Sequence, residues 1–176
     1  WPLRDLPVVA WLLGVAVVQG AAGGDLVEGG AEAVDVGAGV DVDEAALDYA
    51  IAVNAEIRDL FAAGADVVQI DEPYLQARPA EARRYGVAVL TRALEGITGT
   101  TAVHICFGYA AIIHERPTGY SFLAELAAAP CAQISVETAQ SKLDPQQLAA
   151  LGDKQIMVGC LDLSDPAIES PEKIAN

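Results

Sequence analysis

At 176 residues and 53% apolar side chains, the chain has the length of one domain and enough nonpolar material for a sizeable core. A formal charge of −15, with ten Lys and Arg in no cluster, opposes a phosphate backbone and excludes nucleic acid as an expected partner. Cys106, Cys131 and Cys160 are an odd number of widely spaced thiols that make no disulfide framework, which favours a reducing compartment and the cytoplasm.

In chain order, the first feature is the apolar run VVAWLLGVAVV from Val8 to Val18. It is about eleven residues long against the roughly twenty that span a bilayer, so no membrane partner is expected. Arg4 before it and small residues after it imitate a signal-peptide core, yet the chain opens on Trp1 without an initiator Met. Residues 19–42, a drift of Gly, Ala, Val and Asp, follow neither the strand nor the helix period and read as a linker. The expected organisation is therefore a poorly specified segment over 1–42, packing poorly or forming an isolated apolar helix, ahead of one regular unit over 43–176.

Regularity begins at Asp43, a candidate N-cap, after which Leu47, Ile51, Asn54, Ile57, Leu60 and Phe61 recur at helical spacing until Gly64. Asp66 to Ile70 is a short apolar strand, followed by Asp71, Glu72 and Pro73. The cycle repeats: helix over 79–96, strand TAVHICF, helix over 118–128, strand CAQISVE, helix over 144–151, strand QIMVGCL. Ser170, Pro171 and Glu172 then suit the N-cap and first turn of a last helix. Four strands alternating with helices predict an α/β fold with a parallel sheet.

Polar residues fall late in these strands, at Asp71 and Glu72, Cys106, Glu137 and Asp162. Carboxyl ends of parallel strands are where α/β barrels and open sheets build active sites. Residues two apart on a strand share a face about 6.6 Å apart, so His104 and Cys106 point the same way. Imidazole, thiolate and carboxylate together suit Zn²⁺, and Glu137 on the next strand is a candidate third ligand. Taken alone, an H-x-C pair in a strand is more often ordinary core.

The remaining candidates divide by position. Cys131 begins its strand, roughly 20 Å from Glu137, and is expected in the core. Cys160 lies near the right end, as a weak candidate for a further ligand or as wall packing. Asp71 and Glu72 together resemble a receptor for a cation or amine, or else cap the following turn. His114 reads as a loop histidine with general-acid chemistry as the sharper alternative, and Arg83 and Arg84 as solvated helix charges.

In order, DVVQIDEPYL, VHICFGY, ISVETAQSKL and IMVGCLDLSDPAIESPEKIA resemble the carboxyl-terminal catalytic domain of cobalamin-independent methionine synthase, over about residues 43–176. The resemblance implies a (β/α)₈ TIM barrel, present here as an incomplete barrel with four recognisable βα units, since a closed one typically takes about 250 residues. It also implies zinc held by His104, Cys106, Glu137 and a further cysteine, with Asp71 on the amino group of homocysteine; Glu72 is expected in the same substrate site as its neighbouring carboxylate. The implied reaction is methyl transfer from 5-methyltetrahydrofolate, as a polyglutamate, to homocysteine in methionine biosynthesis.

Two departures stand out. The family's last zinc cysteine belongs to an N-P-D-C-G-like segment that this sequence does not reach, and Ser164 stands where the family often has a proton-donating histidine. The chain is thus expected to be a piece of a barrel that alone binds zinc weakly and turns over little substrate. Alternatives are a related barrel enzyme alkylating another small thiol, or an inactive half-barrel needing a partner chain, self-associating through open sheet edges.

Overall fold

The protein, as a computed structural model, is described over residues 14–18, 28–29, 42–72, 75–76, 79–106, 119–139, 141–162 and 165–175. The elements are β1 (Gly14–Val18), β2 (Glu28–Gly29), α1 (Val42–Ala62), β3 (Val67–Glu72), α2 (Pro79–Glu81), α3 (Val87–Ala93), β4 (Thr100–Ile105), α4 (Leu123–Leu126), β5 (Gln133–Glu137), β6 (Gln155–Gly159) and α5 (Pro171–Ala175). A π-helical turn, Ala82–Gly86, joins α2 to α3, and a 3₁₀ helix, Pro145–Leu151, precedes β6.

Helix α1 forms because Ala46, Ala50, Val53 and Ile57 recur every three to four residues, and all four are buried. Gly64, at φ 100°, turns the chain out of the helix and lets Ala65 N–H return to Leu60 O. On the apolar side of α1, Asn54 donates from Nδ2 to Ala93 O at 2.8 Å and Glu95 O at 3.0 Å. It thereby caps the end of α3 from a neighbouring helix.

The sheet order is β2-β1-β3-β4-β5-β6, with β3 to β6 mutually parallel and β1 antiparallel to both its neighbours. Four parallel strands with intervening helices are the βα succession that the sequence predicts. The difference lies at the N-terminus, where Gly14–Val18 is a strand running beside β3, from Gly14 opposite Asp71 to Val18 opposite Val67. An unpaired edge of β3 leaves a row of backbone donors and acceptors, and a β-branched apolar segment satisfies them. The rest of the apolar run and most of the linker reading lie outside the described residues. Among the described residues no helix is long and apolar enough to cross a membrane.

Two predicted helices are altered. The single helix over 79–96 is interrupted by the π-helical turn, where a Cβ on Gly86 would stand 2.8 Å from Leu75 Cδ2. The helix over 118–128 shrinks to Leu123–Leu126, with Pro130 shortly after it. By contrast, Asp144 accepts from Gln146 N–H at 2.9 Å and starts the 3₁₀ helix with Pro145 at its first position.

One face of the sheet carries the core. Val68, Ile70, Val103, Ile105, Ile134 and Val136 are buried there and belong to one cluster with Ile57, Val89, Leu90, Phe122, Leu126 and Leu151. The positions between them, Gln69, Asp71, His104, Gln133, Ser135 and Glu137, are half-buried on the opposite face. Replacing Asn54 with Ala, which removes a donor from Ala93 O and leaves Glu95 O to Arg58 Nη2, is expected to lower stability by about 1 kcal/mol. The urea midpoint should fall at unchanged slope; an unchanged midpoint would contradict the capping role.

Candidate active site at the carboxyl ends of the parallel strands

Strand register fixes which side chains meet. Asp71 on β3 lies opposite His104 on β4, His104 opposite Ser135 on β5, and Ser135 opposite Met157 on β6. Glu137 lies opposite Gly159. Continuing the β4–β5 register by one step past Ile105–Val136 sets Cys106 beside Glu137. Asp71, His104 and Glu137 thus share the face away from the helices, and Cys106 follows directly on β4.

Hydrogen bonds orient this face. Gln69 Nε2 donates to Asp71 Oδ1 at 2.7 Å, and His104 Nδ1 lies 3.0 Å from Ser135 Oγ. Tyr120 donates from its hydroxyl to Ile105 O at 2.8 Å and accepts from Glu137 N–H at 2.9 Å. Burial, with Glu137 and Cys106 nearby, pushes the Tyr120 hydroxyl well above its ordinary pKa, against the lowering effect of the bond with the Glu137 backbone. Ser141 Oγ donates to Glu137 O at 3.0 Å, so the backbone of Glu137 is held on both sides.

Strand register brings His104, Cys106 and Glu137 near one another, but their side chains do not gather as the sequence leads one to expect. Among the described residues, no three His, Cys, Asp or Glu side chains gather closely enough to hold a metal ion. The strand step separates His104 from Cys106 by about 6.6 Å, and the imidazole is turned to its neighbour on β5. The donor set fits zinc by its chemistry, with nitrogen, sulfur and oxygen donors late on two adjacent strands.

Asp71 and Glu72 do not share a face. Being adjacent on a strand they point to opposite faces, and Glu72 enters the helix-facing core at 1% exposure. Its Oε2 has no hydrogen-bond partner among the described residues. Burial, then the charge of Asp71, hold its carboxyl well above the usual range, and burial with the charge of Glu72 raises the Tyr49 hydroxyl in turn. Glu72 is therefore placed as a buried acid apart from the open face.

Of the thiols, Cys131 is in the core, its pKa pushed up by burial while nearby Lys154 pulls it down. The Lys154 ammonium donates to Ala129 O at 2.5 Å and Cys131 O at 2.7 Å. Cys160 is exposed and one residue past Gly159, out of step with the donor face. Arg83, exposed, donates to Ser121 O and pairs with Glu125, and Arg84 lies over the Tyr85 ring. His114 and Ser164 lie outside the described residues. Sequence reasoning passed over Gln69, Ser135 and Tyr120. Aligning the two strands would have found Ser135, since the offset that puts Glu137 beside Cys106 puts Ser135 beside His104; no periodic signal marks Tyr120.

Parallel strands that alternate with helices and carry polar side chains late in their course are the (β/α)-barrel arrangement, and the chain is part of such a barrel. Residues 31–176 match the model of the cobalamin-independent synthase catalytic domain, and the chain belongs to that family. A methionine synthase of Sulfurisphaera tokodaii is 29% identical over 132 residues, covering 74% of this chain and 36% of its own. One of Saccharolobus islandicus is 33% identical over 132 residues, at 73% and 36% coverage. A B12-independent methionine synthase from Shewanella sp. W3-18-1, solved in complex with selenomethionine, matches with TM-score 0.69 and 30% identity over 78% of this chain and 43% of that one. The chain spans a little over a third, 36%, of the length of these curated relatives.

Glu72 gives this end of the sheet a pH signature. Unfolded, its carboxyl titrates near ~4.3; folded, well above it. Between the two values the native state holds more protons than the unfolded one, so stability declines as pH rises through that window, by at most about 1.4 kcal/mol per unit. Below the lower value the contribution is fully present. Glu72→Gln is expected to flatten the decline in urea midpoint from about pH 4.5 upward; parallel profiles for the two proteins would contradict a buried neutral acid.

Proposed function

We propose that this chain carries the metal-binding and amine-binding side of a methyl transfer to a small thiol, with His104, Cys106 and Glu137 as zinc ligands. The observation that supports it is the donor set itself: three zinc-type ligands on one sheet face, at the carboxyl ends of adjacent strands, in a member of a methionine synthase family. Zinc, when bound, favours the thiolate form of a coordinated thiol and so supplies the nucleophile.

The chain's own residues hold the acceptor. Asp71, half-buried and oriented by Gln69, offers a carboxylate to an ammonium group one strand away from His104. A small thiol bearing an amine, homocysteine by likeness to the family's named enzymes, satisfies both contacts. The methyl donor is then 5-methyltetrahydrofolate: the sulfur–carbon bond forms as the methyl–nitrogen bond breaks, and the folate nitrogen takes a proton. Holding both reactants in line is the larger contribution of such a site, because misplacement by about 1 Å can cost about 100-fold in rate.

The edge of β6 supports a second element of this reading. It ends the sheet order among the described residues, and Met157 and Val158 on its two faces are 40% and 50% exposed. Apolar side chains on both faces suit a strand covered on both, and the edge of β6 is open to a further strand, for which self-association is one route.

Zinc binding tests the proposal before any turnover is sought. Equilibrium dialysis of the chain against Zn²⁺ is expected to give one bound ion, with affinity lowered by about tenfold or more in His104→Gln and in Cys106→Ser. Cys131→Ser should bind as the parent does. Binding indifferent to His104 and Cys106 would sink the assignment.

A further inference from the structure

Tyr120 stands where the two donor-bearing strands end. Its side chain is 8% exposed and belongs to the core cluster. Its hydroxyl joins two backbone groups: Ile105 O, the last residue of β4 before Cys106, accepts at 2.8 Å, and Glu137 N–H, at the last residue of β5, donates at 2.9 Å. Hydrogen bonds of these kinds tolerate only a few tenths of an ångström before weakening, so one oxygen shared by two strand ends fixes their separation. The ring is anchored by burial, which makes the oxygen a fixed point rather than a mobile link.

The clamp acts where the ladder stops helping. Register pairs Ile105 with Val136, and the chain leaves β4 immediately afterwards. Cys106 and Glu137 are the first residues past, or at, that last pair, so their relation rests on how the strand ends are tied. Ser141 holds the Glu137 carbonyl and Tyr120 its N–H. We propose that Tyr120 is a positioning residue that sets Cys106 and Glu137 at metal-sharing distance by clamping the ends of β4 and β5. This rests on the zinc reading above for its purpose, while the clamp itself is geometric.

Tyr120→Phe removes only the hydroxyl. In the full chain, Co²⁺ titration is expected to show affinity about 10- to 100-fold weaker than the parent, with reduced thiolate-to-cobalt charge-transfer absorption per bound ion. Ile57→Val, a buried truncation on α1, controls for loss of stability alone and should keep the parent's affinity and spectrum. A Tyr120→Phe protein with the parent's cobalt affinity and spectrum would overturn the proposal. A metal-free arm separates the clamp from the zinc reading. In a Glu137→Cys background, the equilibrium in glutathione buffer for a disulfide between Cys106 and the introduced thiol is expected to fall at least about tenfold when Tyr120→Phe is added. If the parent takes no cobalt, the zinc reading fails and this disulfide equilibrium decides: a tenfold fall sustains the clamp, and no change ends it.

Discussion

Alternation of side chains along parallel strands is the constraint on which the rest of this molecule depends. Every second residue of β3, β4 and β5 belongs to the helix-facing layer, and Val68, Ile70, Val103, Ile105, Ile134 and Val136 fill it, all buried. Burying six such side chains contributes about 10 kcal/mol or more, comparable to the whole net stability of a domain. A slip of one residue on any strand would turn those side chains to the open face and bring its polar residues inside. The apolar layer therefore sets the register, and the register puts Asp71 beside His104, and Cys106 beside Glu137. The donors are aligned by hydrophobic burial on the opposite side of the sheet.

Where strands end, burial no longer aligns the chain and directed polar contacts take over. Tyr120 ties Ile105 to Glu137, Ser141 holds Glu137 from its carbonyl side, and the amides of Thr138 and Ala139 both donate to Gly159 O at 3.1 Å. Glycine suits that last position, since a Cβ there would stand 3.1 Å from Val136 O, a tight contact. Glu72 is the exception to the layered logic, an acid placed where β3 otherwise carries Val68 and Ile70. Burial raises its pKa, because the neutral acid gives up far less hydration than a carboxylate.

Much of the architecture is legible in the residues. Period-2 apolar strands separated by helical repeats are enough to read four parallel strands, and the ordered motifs around Asp71, His104 and Glu137 identify the family. What escapes has physical causes. Asp71 and Glu72 look like a pair in sequence because adjacency is visible there, while the opposite directions of their side chains are not. His104, Cys106 and Glu137 share a face by strand parity, but parity does not fix rotamers, and the imidazole is taken up by Ser135. The strand at Gly14–Val18 depends on an open edge of β3, a tertiary fact that local propensity does not carry. Tyr120 contacts residues 15 and 17 positions away through one oxygen, and no spacing rule announces such a contact.

In the proposed site, the face opposite the core presents one imidazole, one thiolate and one carboxylate to a single metal ion. Zinc K-edge X-ray absorption on the zinc-loaded chain tests it most directly. The expected shell is one sulfur at about 2.3 Å with nitrogen and oxygen neighbours at about 2.0–2.2 Å, the sulfur disappearing in Cys106→Ser. A shell of nitrogen and oxygen alone in the parent chain, unchanged by Cys106→Ser, would contradict it.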